Sequence, residues 1–193
     1  MPEQRRSIRS HQAIIDAAAE LIRSHGVPGT AVAEIIARSG TSAGAVYHHF
    51  SGKQAIVVAV AHQVLQWPLS AMEDYADNPA PPAALFGYAV EAMRYEPELA
   101  ELLVQLGAGA LTDDSLGCQL QSEFSQLRDH LDQTLHRWAE INSIPRESLT
   151  GVGQMLVGLT LGYATQRALV EDFDTDAYLA LGQRMLTSAV GTS

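Results

Sequence analysis

Residues 41–50, TSAGAVYHHF, put two hydroxyls, a glycine, a tyrosine and adjacent histidines into one short stretch. Placed on a helix at about 100° per residue, Val46 and Phe50 fall together and are expected to face inward. Thr41, Gly44, Ala45 and His48 then lie opposite, with Tyr47 on one flank and Ser42 and His49 on the other. An outward face of small residues lets a backbone approach a surface closely, and hydrogen-bonding groups flank it. A glycine inside a helix costs about 1 kcal/mol relative to alanine, so local stability does not account for Gly44. The chemistry this face suits is the reading of a DNA major groove, which is about 12 Å wide and admits a helix led by its N-terminal residues. Phosphates suit helix N-termini, where free N–H groups and the macrodipole favour anions. Lys53, the only lysine, stands in the first turn of the next helix, where the macrodipole disfavours a cation and a phosphate would offset that cost.

The elements that must position these groups read as helices. HQAIIDAAAELIRSHG carries Ile14, Ala17, Ala18, Leu21 and Ile22 on one face, with Gly26 as its stop. Thr30 is the cap candidate for AVAEIIARSG, Ser42 for AGAVYHHF, and Ser51 for GKQAIVVAVAHQVLQW. The turn SGTS (39–42) joins two short helices, and Gly40 permits the positive φ that such turns often need. Pro68 predicts a kink or break near 64–68. After a loop at Asn78-Pro79 come helices at about 83–95, 97–108, 117–142, 145–171 and 175–190, with Pro145 as a first-turn proline. The expected fold is all-α. A helix-turn-helix domain at 1–53 precedes a helical ligand-binding and dimerisation domain at 54–193.

Charge is divided along the same line. The net charge is −10. Residues 1–53 hold six basic side chains (Arg5, Arg6, Arg9, Arg23, Arg38, Lys53) against four acidic ones, whereas 54–193 hold six arginines against eighteen Asp/Glu. A basic head on an acidic body is what a small nucleic-acid module fused to another domain would show. A single cysteine, Cys118, excludes an intramolecular disulfide. The N-terminus lacks the uninterrupted apolar core of a signal peptide. The most apolar later stretch, 151–164, is shorter than the roughly 20 residues that span a bilayer. A cytoplasmic protein without membrane contact is expected.

The stretch AIIDAAAELIRSHGVPGTAVAEIIARSGTSAGAVYHHFSGKQAI resembles the DNA-binding domain of the tetracycline-repressor (TetR) family. Members carry an apolar helix with an AA pair, a Gly, a Thr, an "IA…AG" helix, a "…S.G.LY.HF" reader and a lysine soon after. The resemblance covers about residues 11–58. It implies a homodimer that binds double-stranded, palindromic operator DNA, usually as a repressor, and often a small-molecule effector in the C-terminal domain. It implies that Thr30 contacts phosphate, that Ser42, Ala43, Gly44 and Ala45 face the bases, and that Tyr47, His48 and Lys53 contact the backbone. Thr41 departs from a usual Val, which removes an apolar contact and adds a hydroxyl for a base or a phosphate. Ala43 stands where Lys or Arg is frequent. Arg5, Arg6 and Arg9 have two readings, a flexible arm in the minor groove or a disordered end.

Helix-bundle cores are a common location for ligand pockets. Candidate lining residues for an effector of unknown identity are Trp67, Tyr75, Phe86, Met93, Leu103, Phe124, Trp138, Met155, Leu159 and Tyr163, each of which also reads as plain core. The apolar faces of 145–171 and 175–190 suit pairing across a two-fold axis. Asp132, His136 and Glu140 stack at i, i+4, i+8, a spacing compatible with a transition metal but equally with a solvated face, and no metal is expected. The sequence lacks H-E-x-x-H, G-x-S-x-G and G-x-x-x-x-G-K, so no catalytic residue, enzyme activity or cofactor is expected. The alternatives are an all-helical metal-binding protein or enzyme, and a DNA-binding activator without effector.

Overall fold

The computed structural model describes the backbone of residues 2–74 and 79–191, and the side chains of 4–65 and 79–191. Among the described residues there are α-helices and no strand, as the helical periodicity predicts. The chain forms two compact units, one from residues 1–64 and 105–123, the other from 65–104 and 124–193.

In the first unit, α1 (Pro2–Gly29) is interrupted at Gly26, whose φ of 71° and ψ of 169° turn the chain out of helical conformation at the expected stop. The helix begins nine residues before the HQAII stretch, so Arg5, Arg6 and Arg9 lie on α1 itself. Pro2 at the first turn costs no intrahelical bond, and the residues after it are mostly good helix formers. The face Ile14, Ala18, Leu21, Ile22 is buried and packs on α2 (Val32–Ser39) and α3 (Ala43–His49). Arg38 on α2 forms an ion pair with Glu20 on α1, its Nε donating to Oε2 at 2.8 Å.

Thr30 does not cap α2. The cap position is Ala31, whose N–H donates to Glu34 Oε2 at 3.1 Å. Thr30 itself is 2% exposed and its hydroxyl donates to the carbonyl of Gly26 at 2.9 Å, where it closes the turn that Gly26 opens. Ser42 caps α3 as expected, accepting from Ala45 N–H at 3.1 Å. Ser51 lies one residue too early to cap α4 (Lys53–Asp74); the first helical bond there runs from Ile56 N–H to the carbonyl of Gly52. The break expected near 64–68 is absent, since α4 continues through Pro68 to Asp74. A proline deletes one bond, to the carbonyl four residues back, and the other turns of a 22-residue helix keep theirs.

The second unit is built from parts of α4, α6 (Glu98–Thr112) and α7 (Asp114–Ile141), with α5 (Pro82–Tyr95), α8 (Val152–Leu169) and α9 (Thr175–Ala189). Its core joins Phe86, Val90, Met93, Leu131, Leu135, Trp138, Leu156, Tyr163 and Leu186. Close packing needs small residues: a methyl at Gly182 on α9 would meet Phe86 Cε1 at 2.5 Å. Gly153 on α8 packs against Asp132 and Leu135. The single helix expected at 145–171 is two elements. Pro145 precedes a 3₁₀ turn (Arg146–Leu149), and Gly151 at φ 78° resets the chain before α8. The helix expected at 117–142 begins earlier, because Asp113 caps it, accepting from Leu116 N–H at 3.0 Å. That bond, with a second from Gln54, holds the Asp113 carboxyl below its ordinary range.

Candidate nucleic-acid interface

The helix-turn-helix is held by its buried side. Val46 and Phe50 are buried, Ile35 on α2 is fully so, and the turn between α2 and α3 passes through Gly40 at φ 65°, where an L side chain would be strained. With those residues inward, Ser42, Ala43, Gly44, Tyr47 and His48 are exposed, and Thr41 and Ala45 are half-buried. Among the described residues, a Cβ added at Gly44 would find only Ser42 Oγ, at 3.8 Å. Nothing in the fold therefore demands glycine there.

The N-terminal part of α1 lies beside this face. A groove of about 840 Å³ is lined by Arg6, Ser7, Arg9 and Ser10 from α1, by Gly40, Thr41 and Ser42 from the turn, and by Gly44, Ala45, His48 and His49 from α3. Arg6, Arg9 and Ser10 share one side of a helix at i, i+3, i+4. That spacing was readable once the helix was extended back to Pro2. An open groove with two guanidinium groups along one wall and small exposed residues along the other suits an anionic polymer.

A second feature of this site was not foreseen. His49 Nε2 lies 2.8 Å from Ser10 Oγ, and Ser10 Oγ donates to Ser7 O at 2.9 Å. With the serine proton committed to that carbonyl, Nε2 is the donor. His11 stacks on Phe50 with centroids 4.9 Å apart and meets the His49 ring edge-on at 5.4 Å. These contacts brace the C-terminal end of α3 against α1. Burial, reinforced by His11 and His48, pushes the His49 imidazole below its ordinary value. The sequence signal was two histidines thirty-eight residues apart, which only the fold brings together.

Other predicted positions are placed differently. Thr30 is buried with its hydroxyl turned to Gly26, and so is not presented to a phosphate. Lys53 Nζ donates to the Pro28 carbonyl at 3.2 Å, which ties the start of α4 to the end of α1 and supplies part of the compensation assigned above to phosphate. Of the ligand candidates, Phe86, Met93, Trp138 and Tyr163 are buried in the second unit's core, with Leu103, Met155 and Leu159 packed against it. Phe124 is half-buried. The Trp67 side chain and the whole of Tyr75 lie outside the described residues. Tyr163 is fully buried and its hydroxyl has no hydrogen-bond partner among the described residues; Phe173 and Tyr178 pack against its ring.

Asp132, His136 and Glu140 do not converge. Asp132 and His136 line a groove with Arg128 and Gln154, while Glu140 forms an ion pair with Arg146. Among the described residues no group of three His, Cys, Asp or Glu side chains is placed to hold a metal ion. No helix of the described residues is long and apolar enough to cross a membrane.

Residues 14–60 match the family model described as bacterial regulatory proteins, tetR family. No curated protein matches the chain. Solved structures do. A transcriptional regulator FadR from Bacillus subtilis, in complex with stearoyl-CoA, has a TM-score of 0.71 at 19% identity, covering 94% of this chain and 98% of that one. Salmonella enterica GusR has a TM-score of 0.72 at 17% identity, over 94% and 95% of the two chains. A TetR-family transcriptional regulator from Agrobacterium tumefaciens has a TM-score of 0.70 at 17% identity, over 94% and 98%. These likenesses extend the shared fold well beyond the matched segment. Residues 14–60 thus match the N-terminal segment of the tetR family of bacterial regulatory proteins, set in a helix-turn-helix whose small-residue face is exposed, and the fold of the chain is similar to that of the solved regulators.

Proposed function

We propose that this protein is a homodimeric repressor that binds a palindromic operator and is released by a small-molecule effector. The observation that carries the DNA reading is the groove in which Arg6 and Arg9 stand opposite the exposed start of α3. Phosphate contacts from the arginines would set the register of α3 in the major groove, and residues 41–45, with Thr41 and Ser42 supplying hydroxyls, would face the bases. Tyr47, His48 and Lys53 would contact the backbone. Thr30 holds the turn and drops out of the contact set.

The dimer is supported by exposed apolar side chains on the last two helices. Leu181 and Met185 are four residues apart on α9, and Leu169 and Val170 close α8; all four are exposed. Two copies related by a two-fold axis would cover them and set two α3 helices toward half-sites one helical turn apart, roughly 34–36 Å. An effector site is supported by Tyr163. A buried hydroxyl without a partner costs about 1–3 kcal/mol, which a ligand carrying an acceptor would recover among Phe86, Met93 and Trp138. The Bacillus subtilis regulator's stearoyl-CoA makes acyl-CoAs the first ligands to test here. A protein whose partner is chromosomal DNA works in the cytoplasm.

The test is selection from a random duplex pool at low and at physiological salt. Enrichment of a palindrome supports the reading; no enrichment by folded protein refutes it. A reporter with the enriched site downstream of a promoter then decides the sign, repression being the expected result. Thermal-shift titration with acyl-CoAs is expected to stabilise the protein, and Tyr163→Phe to keep the fold while lowering that response.

A further inference from the structure

The turn before α3 carries an arrangement of hydroxyls that decides what Thr41 can bind. Ser39 Oγ is 3.2 Å from the carbonyl of Ile36, which only accepts, so this contact uses the serine proton. The Thr41 backbone N–H points to the same Ser39 Oγ at 3.4 Å and takes one of its lone pairs. The Thr41 hydroxyl stands 2.8 Å from Ser39 Oγ. All three contacts are made together in one way only: Ser39 donates to Ile36, and Thr41 donates to Ser39. The reverse assignment, Ser39 donating to Thr41, abandons the bond to Ile36. The half-buried Thr41, which lines the groove, therefore presents outward an oxygen whose proton is already committed. Its neighbour has the opposite polarity, since Ser42 Oγ accepts from Ala45 N–H and keeps its own proton free.

We propose that Thr41 is a specificity-determining residue that acts as a hydrogen-bond acceptor, taking the major-groove amino group of an adenine or a cytosine. This rests on the DNA-reading function proposed above. Phosphate and sugar-ring oxygens, like guanine O6, guanine N7 and thymine O4, are acceptors and give such an oxygen nothing. The donors that the major-groove edges offer are adenine N6 and cytosine N4. Each base pair has one of them, on one strand or the other. Thr41 thus distinguishes A·T from T·A and C·G from G·C at one step of each half-site. It does so without a net charge, which fits a reader whose first helical position is Ala43.

The experiment is pool selection with the full-length protein as wild type, Thr41→Val, Thr41→Ser and Ser39→Ala, each first shown by its circular-dichroism melt to be folded. Wild type is expected to prefer A or C over T or G at one position of each half-site, by roughly three- to tenfold, the span of one net hydrogen bond. Thr41→Val should erase that preference and leave the other positions and the salt dependence unchanged. Thr41→Ser, which keeps the hydroxyl and its bond to Ser39, should retain it. Ser39→Ala releases the threonine proton, so the same position should lose its preference or turn toward G or T. Unchanged selection by Thr41→Val overturns the proposal. So does a uniform loss of affinity with a shallower salt dependence, which would make Thr41 a phosphate contact. If wild type itself selects no sequence, the DNA-reading function fails, and this inference with it.

Discussion

Alanine at position 44 separates two roles a glycine can have, because here the fold and the proposed interface make opposite demands. Among the described residues, the added methyl meets only Ser42 Oγ, at ordinary contact distance. Gly44 is the second residue of α3, where part of the usual helix preference for alanine applies. The gain is about 0.5 kcal/mol, or roughly 1–2 °C in melting temperature for a chain of this length. On DNA the methyl stands between the helix backbone and the groove wall. Forcing a methyl into a packed contact costs about 1–3 kcal/mol, which raises Kd roughly fivefold to a hundredfold. The assay pairs urea and thermal melts with fluorescence anisotropy on the selected duplex at fixed salt. Gly182→Ala is the control: its methyl meets Phe86 at 2.5 Å in the second unit's core, so it should destabilise the fold by about 1–3 kcal/mol. Gly44→Ala with unaltered Kd would refute the close approach of α3. A large loss of stability in that variant would refute the exposed placement of residue 44.

Arg6→Ala and Arg9→Ala should each weaken binding to all sequences alike and reduce the slope of log K against log salt by about 1, as measured by anisotropy across a salt series; a sequence-dependent loss would reassign them to base contact. Asp113→Ala removes the cap of α7 and should lower the midpoint of urea denaturation. His49 makes stability depend on pH. Its folded pKa lies below the ordinary 6.5, so the unfolded chain binds the proton more readily, and stability is lost as pH falls through and below 6.5. Melting temperatures between pH 8 and pH 5 should show this decline, and His49→Gln should flatten it; an identical profile in the variant would remove His49 as its cause.

Much of the site was legible before folding because it depends on short-range rules. A serine before a helix has one economical use for its hydroxyl, so Ser42 as the cap of α3 followed from composition and order. The same rule misled at Thr30, whose hydroxyl found the Gly26 carbonyl instead. A β-branched alcohol next to a chain reversal can accept from an N–H ahead of it or donate to a carbonyl behind it, and tertiary burial favoured the second. Pro145 misled for a related reason: first-turn proline is compatible with α-helix and with a 3₁₀ turn, and Gly151 downstream decided for the latter.

The sequence by itself determined the helical periodicity, the inward placement of Val46 and Phe50, the positive-φ turn at Gly40, and the separation of a basic N-terminal segment from an acidic remainder. These follow from spacing of 3.6 residues, from glycine's missing Cβ, and from counting charges. Only the tertiary structure decided that Arg6 and Arg9 share a groove with α3, that His11 and Ser10 brace His49 and Phe50, and that the buried Tyr163 hydroxyl has no partner among the described residues. Those are contacts between residues far apart in the chain, or the lack of one. Local preferences carry no information about them, because the energy that selects them comes from burying whole helix faces together.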